Sequence, residues 1–330
     1  MSQKIKQLSK VIGRTFMALS VCGNGAYAKT SESRVRTVSV NQVIRHPALD
    51  VTYQGVVDRL RERGYRSGEN LILNYEQAQG NVVLSSQISQ KFVSKGADVL
   101  VGVGTTSSQS LVNASGNKIP VVFTTVTDPV GSGIVESLKG SKKSVTGVSN
   151  MTDMKEQLLF MKKIIPDLKT VGVIFNPGED NSVKLVKTLE DKAKETGLRI
   201  VASPANKTIE VPTAARFLVG KADVMFVTND NTALSAFDAI AKTGLEQRIP
   251  VFVSDVDIVS QGALGALGPD QYEVGRQTGD MVADILEGKK AGEIPTGFPT
   301  KNSLYLNESL AKTLGISFAP DLKKQATKIL

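Results

Sequence analysis

Ala97-Asp98-Val99-Leu100-Val101, a turn, a helical stretch, then Ile119-Pro120-Val121-Val122-Phe123-Thr124; and, in the other half of the chain, Ala222-Asp223-Val224-Met225-Phe226-Val227, a turn, a helical stretch, then Ile249-Pro250-Val251-Phe252-Val253-Ser254. One strand–helix–strand unit is written twice. The apolar runs are nearly continuous, the pattern of parallel strands covered on both faces. Other β-branched runs at 35–40, 71–75, 170–175 and 199–203 alternate with helical patterns near 48–63, 82–95, 107–116, 153–165, 181–196, 231–243 and 272–287. Gly64, Gly96, Gly197, Gly244 and Gly288 stand where a left-handed residue ends a helix. Alternation of this kind makes the chain α/β, and the repeat divides it into two similar doubly wound parallel-sheet lobes. Two such lobes bind a ligand in the cleft between them, at the carboxyl ends of their strands.

The loops at those ends carry the polar residues. In the first half, Gly104-Thr105-Thr106-Ser107-Ser108 follows one strand and Thr124-Thr125-Val126-Thr127-Asp128 the next. Both are rich in hydroxyls, and each opens a helix in this reading, so free N–H groups and a partial positive charge suit a carboxylate there. Helix capping alone would also select Ser and Thr. In the second half the equivalent loops are Thr228-Asn229-Asp230-Asn231 and Ser254-Asp255-Val256-Asp257, which are acidic. Hydroxyls and N–H groups on one lobe and carboxylates on the other match a zwitterion held at both ends by charge-assisted hydrogen bonds.

Composition narrows the function. The 330 residues are 41% hydrophobic and 22% charged, with one His and one Cys. His46 has no second His or Cys to complete a metal site. No Gly-x-Ser-x-Gly elbow follows a strand, so a hydrolase triad lacks its nucleophile. Gly102-Val103-Gly104 begins a dinucleotide fingerprint, but Ser107 replaces the third glycine. Gly131-Ser132-Gly133 reads as a turn. No cofactor, metal or catalytic residue is expected.

The net charge of +8 includes Lys4, Lys6, Lys10 and Arg14 in an acid-free first segment. The other basic residues are interspersed with acids, so nucleic-acid binding is unsupported. Residues 1–14 are basic, 16–22 apolar, and Ala26-Tyr27-Ala28 fits a small-x-small cleavage site. Residues 1–28 therefore read as a secretory signal peptide cut after Ala28. Lipid attachment at Cys22 is less favoured, because Val21 stands where that motif carries a small residue. No later stretch approaches the ~18 apolar residues of a membrane span.

Several short motifs carry a resemblance: His46-Pro47-Ala48-Leu49-Asp50; Ile119–Thr124 with Val126-Thr127-Asp128-Pro129-Val130-Gly131; Gly147-Val148-Ser149; Phe175-Asn176-Pro177-Gly178-Glu179 with Asn181-Ser182; Asp230-Asn231; Pro250-Val251-Phe252 with Ser254-Asp255; and Gly275-Arg276-Gln277-Thr278-Gly279. Over nearly the whole chain after its first segment, the sequence resembles ABC-transporter substrate-binding proteins of the tryptophan/aromatic amino acid type. That resemblance implies a type I periplasmic-binding-protein fold in which three crossovers form the hinge. One lobe would take 34–148 plus 268–295, the other 149–267 plus 296–330. It implies an aromatic amino acid (Trp, Phe or Tyr) as ligand. Carried over by position, Thr105, Ser107, Thr125 and Thr127 face its carboxylate, Asp230 and Asp255 face its ammonium, and Gln42, His46, Asn150 and Asn181 lie on loops that line the cleft. The sequence departs from the family at Arg45, where an acid is frequent, and from Met154 onward. These departures leave other ligands open, among them branched-chain amino acids, sugars and nucleosides.

The expected protein is a non-catalytic, monomeric clamp in the periplasm or on the outer face of the cell membrane. It closes on its ligand and presents it to a membrane permease. A sensor protein of the same fold is the main alternative. An enzyme lacks its nucleophile, and a sugar-responsive repressor core lacks its helix-turn-helix.

Overall fold

The repeated Ala-Asp-Val does the same work in both halves. Asp98 Oδ2 accepts from the Thr37 backbone N–H at 2.8 Å, and Asp223 Oδ2 accepts from Thr170 N–H at 2.7 Å and Lys169 N–H at 2.9 Å. Each aspartate ties the start of its own strand to the start of the neighbouring one. The computed structural model describes residues 34–330; the first segment, with Cys22 and Ala28, lies outside the described residues.

The first lobe holds β1 (Arg36–Gln42), α1 (Pro47–Glu62), β2 (Leu71–Gln77), α2 (Val82–Ser94), β3 (Val99–Val103), α3 (Thr105–Ser115), β4 (Val121–Val126) and β5 (Val145–Ser149). Its sheet is parallel, in the order β2-β1-β3-β4-β5. Alternation along each strand sorts the core into two faces. Val99, Val101 and Val103 pack with Leu49, Val56 and Leu60 of α1, while Leu100 packs with Phe92 of α2 and Leu111 of α3.

The second lobe continues with α4 (Met154–Ile164), β6 (Thr170–Phe175), α5 (Asp180–Thr196), β7 (Arg199–Pro204), α6 (Val211–Leu218), β8 (Val224–Val227), α7 (Asn231–Ser235), α8 (Phe237–Glu246), β9 (Val251–Val253), a 3-10 turn over Val256–Gln261 and β10 (Gly265–Pro269). The chain then returns to the first lobe as α9 (Gln271–Leu286), which packs on α1. It pairs at Gly297 with Val148 and crosses again into β11 (Asn302–Leu306), α10 (Glu308–Leu314), α11 (Pro320–Gln325) and β12 (Lys328–Ile329). The second sheet runs β12-β11-β10-β9-β8-β6-β7. Three crossovers therefore join the lobes, after β5, after β10 and before β11. β1 corresponds to β6, β3 to β8 and β4 to β9, which is the repeat seen in the sequence.

The differences from expectation are local. β5, β10, β11, β12, α6, α10 and α11 were not anticipated. β11 runs antiparallel to β10, because it enters the sheet from the third crossover rather than from a covering helix. The stretch 231–243 is two helices broken at Ala236, which takes φ −121°. Gly244 does not end a helix. It lies inside α8, where a Cβ would stand 2.4 Å from Val251 Cγ2, and the left-handed residue after α8 is Arg248. Gly275 and Gly55 let α1 and α9 touch backbone to backbone: a Cβ on Gly275 would lie 2.0 Å from Thr52 O. Gly102 and Gly104 likewise serve packing, against Ser108 and Val43.

Candidate ligand-binding cleft

In both sheets the strand order reverses between two adjacent strands, β1/β3 in one lobe and β6/β8 in the other. At such a point the loops leaving the strands diverge and open a crevice. His46 and Asp230 lie in the loops after β1 and β8, and Thr105 and Asn181 in the first turns of the helices that follow β3 and β6.

The lobes meet there. Asp128, in the loop after β4, forms an ion pair with Lys184 of α5 at 3.1 Å, and Gln109 of α3 donates to Asp180 Oδ2 at 2.7 Å. Deeper in, His46 Nε2 lies 3.4 Å from Asn231 Oδ1, and Ala48 packs into the apolar cluster of the second lobe. The lip around Thr105, Asp128, Asn181 and Lys184 encloses a recess of about 540 Å³.

Around the carboxyl ends of the strands the usual rule that buried polar atoms are paired breaks down. Twelve buried side-chain atoms among the described residues make no hydrogen bond within the chain: Gln42 Oε1, His46 Nδ1, Thr105 Oγ1, Asn150 Oδ1, Thr152 Oγ1, Asn181 Oδ1, Thr228 Oγ1, both amide atoms of Asn229, Ser254 Oγ, Asp257 Oδ2 and Gln271 Oε1. Every one lies at or beyond the carboxyl end of a strand, and both lobes contribute. Gln42 is held from behind, its Nε2 donating to Ile44 O and Asp50 Oδ1 at 2.8 Å, which leaves its oxygen unused. Asp50 in turn faces Arg45 at 3.5 Å.

The expected carboxylate group divides in two. Thr105 is the first residue of α3, whose N-cap is Gly104 and whose first turn has no side-chain cap. Thr125 sits in a bulge of β4 at φ +54°, a left-handed conformation costly for a β-branched residue, and Thr127 is buried just beyond it. The Ser107 hydroxyl is turned away. It donates to Asn41 Oδ1 at 3.2 Å and lies 3.4 Å from Ser85 Oγ, in a polar network within the first lobe.

The acidic group divides in the same way. Both oxygens of Asp230 are taken up inside its lobe: Oδ1 caps α7 through Ala233 N–H at 2.6 Å, and Oδ2 accepts from Asn176 N–H at 2.6 Å and from the Ser182 hydroxyl. Burial, with the Glu179 carboxylate nearby, pushes the Asp230 carboxyl up. Asp255 is different. Its Oδ1 accepts from Gln271 Nε2 at 2.6 Å, and Oδ2 has no partner among the described residues. Burial and the neighbouring Asp257 push its pKa up to about 7, against the Gln271 hydrogen bond, and burial pushes Asp257 to about 6, helped by Asp270. No ion pair to a Lys or Arg joins these three aspartates among the described residues. A buried anion without a cation is costly, which is why burial holds Asp255 and Asp257 toward the protonated form.

Sequence reading overlooked Glu179, Asn229, Ser254 and Gln271 as individual residues. Glu179, Asn229 and Ser254 stand in motifs that were singled out. Gln271 opens a helix, and nothing in one sequence distinguishes it from a surface glutamine.

Residues 37–330 match the model of the ABC transporter substrate binding protein family. The chain belongs to this family. The tyrosine-binding protein of Clostridioides difficile (strain R20291) is 34% identical over 286 residues, 87% of this chain and 83% of that protein. A Streptococcus pneumonia ABC domain in complex with L-Trp is 28% identical, with a TM-score of 0.86 over 89% of this chain and 99% of that one. The ligand-free, open structure of an adhesive substrate-binding protein from Clostridium difficile is 31% identical over the same shares, with a TM-score of 0.67. This substrate-binding protein thus superposes better on the L-Trp complex than on the open form, although the open relative is more identical. Its lobes, in the type I periplasmic-binding fold, are in contact across the seam through Asp128–Lys184, Gln109–Asp180 and His46–Asn231. Substrate-binding proteins of this kind act outside the cytoplasm, and no described helix is long and apolar enough to cross a membrane.

Proposed function

We propose that this substrate-binding protein captures a free aromatic amino acid, tyrosine, tryptophan or phenylalanine, in the interlobe cleft and delivers it to its permease. The unpartnered buried polar atoms at the carboxyl ends of the strands in both lobes carry this reading, because such atoms are tolerated where a ligand completes them. The lobes are 34–148 plus 268–295 and 149–267 plus 296–330. The α-carboxylate lies at the N-terminus of α3, against Thr105 with Thr127, while the Thr125 hydroxyl donates to Thr124 O at 2.7 Å and fixes the bulge beside it. The ammonium lies against Asp255, with Asp257 behind it. Gln42, His46, Asn150 and Asn181 complete the polar wall. Ser107 and Asp230 serve from the interior, anchoring α3 and α7. Residues 1–28 direct export and are removed after Ala28, which releases a monomer that performs no catalysis. Relatives that bind tyrosine and L-Trp support the choice of ligand.

The test is thermal unfolding of the purified protein against the twenty amino acids, sugars and nucleosides, after unfolding, dialysis and refolding to strip carried-over ligand. At 100 times Kd, binding adds about 2.7 kcal/mol, a midpoint rise of roughly 5 °C. A shift confined to the aromatic amino acids is expected. A shift with a sugar or nucleoside alone overturns the carboxylate and ammonium assignments.

A further inference from the structure

We infer that closing the lobes selects the tautomer of His46, through a Glu179–Asn231–His46 chain, so that Nδ1 becomes a hydrogen-bond acceptor for the donor end of the ligand. The inference rests on the amino-acid reading above and makes His46 a positioning residue for the ammonium.

The argument starts at Glu179. Its two oxygens receive Asn231 Nδ2 at 2.5 Å, Thr232 Oγ1 at 2.8 Å, Asn181 Nδ2 at 3.3 Å, Asn176 Nδ2 at 3.4 Å and Asn231 N–H at 3.4 Å. A carboxylate only accepts, so the Asn231 amide must turn its NH2 end toward Glu179. Its carbonyl end, Oδ1, then faces His46 Nε2 across the seam. Two acceptors cannot share that contact, so Nε2 carries the proton and donates. Burial pushes the imidazole pKa down to about 4, against the Asn231 hydrogen bond and the Asp50 charge, so the ring carries one proton and Nδ1 is a bare lone pair.

Nδ1 is buried and unpartnered, and the side chain does not cap α1 although His46 occupies the N-cap position. Inside this seam a lone-pair acceptor suits an N–H donor. His46 belongs to the first lobe, Asn231 and Glu179 to the second. Opening the clamp removes the constraint and lets the tautomers exchange; closing restores it. The acceptor is set only when the cleft is shut.

With one His in the sequence, a 15N-histidine-labelled full chain gives the signals of one imidazole. Two forms are measured. One is saturated with L-tyrosine or L-tryptophan. The other is locked shut without ligand by a short bis-maleimide joining Gln109→Cys to Asp180→Cys in a Cys22→Ser background. Both should show a protonated Nε2 and an unprotonated Nδ1, and Asn231→Ala should restore a mixture. A protonated Nδ1 in the locked form overturns the inference whatever the ligand. A locked form with the expected tautomer, beside no binding of any aromatic amino acid, overturns the ligand reading and upholds the relay. Binding separates the two nitrogens: His46→Asn, whose amide oxygen falls near Nδ1, should hold L-tyrosine at least ~10-fold more tightly than His46→Gln, the margin of one buried hydrogen bond. Equal affinities of the two variants remove the ligand contact.

Discussion

Asp255 is where charge and burial meet most sharply. One oxygen is held by Gln271 and the other is free, beside Asp257. Asp255→Asn keeps the shape and removes the charge. It should weaken binding of an aromatic amino acid by ~30-fold or more, since losing one member of a buried charge pair costs about 2 kcal/mol or more; isothermal calorimetry checks this. The pH response follows from the same residue. Its carboxyl is raised in the closed protein, so the stability it lends the ligand-free closed form is full at low pH and is lost as pH rises toward about 7. With the ammonium against Asp255 as proposed, the ionised carboxylate is favoured, so binding should release a proton. Affinity should rise from pH 5 to pH 8, with proton release detectable by calorimetry in buffers of different ionisation enthalpy. At this scale the sequence was half legible. The polar loops could be read because residue type and position after a strand both show in the string. Which hydroxyl turns inward could not: Thr105 and Ser107 share one helical turn, yet Ser107 is drawn into the Asn41–Ser85 network, and Asn41 lies on a different strand.

Elements were more legible, because parallel strands announce themselves as apolar runs of limited length. The first-lobe strand β5 escaped notice because Val145-Thr146-Gly147-Val148-Ser149 mixes polar and small residues. Gly147 is needed there, since a Cβ would stand 2.0 Å from Phe123 O. The α1–α9 pair makes the same point. Its glycines look like flexible positions in the sequence, yet they are contact points. Gly275→Ala should cost about 1–3 kcal/mol of stability, the usual penalty for overpacking, because its Cβ meets the Thr52 backbone and not a movable side chain. Urea unfolding measures it, and an unchanged midpoint would show that the two helices can part freely.

For the molecule as a whole, the two-lobed plan was legible because the same unit recurs at matching places in both sheets. The closure contacts were not, since Lys184–Asp128 joins residues whose proximity depends on the relative position of two bodies. That pair is partly exposed, at 44% and 25%, so it contributes about 0.2–1 kcal/mol. Lys184→Ala should speed ligand release by up to ~5-fold, the rate equivalent of that energy, and leave capture unchanged, as stopped-flow fluorescence would show. The crossovers also bear on synthesis. Neither lobe is one continuous stretch of chain: the surface of α1 is covered by a helix that leaves the ribosome about two hundred residues later, a delay on the order of 10–40 s at bacterial speeds. Throughout that interval Val56 and Leu60 lack part of their native cover. β12 must likewise pair with β11 at the edge of the second sheet. A polypeptide wired in this way cannot complete either lobe from one continuous stretch, so the cores made first wait for segments made much later.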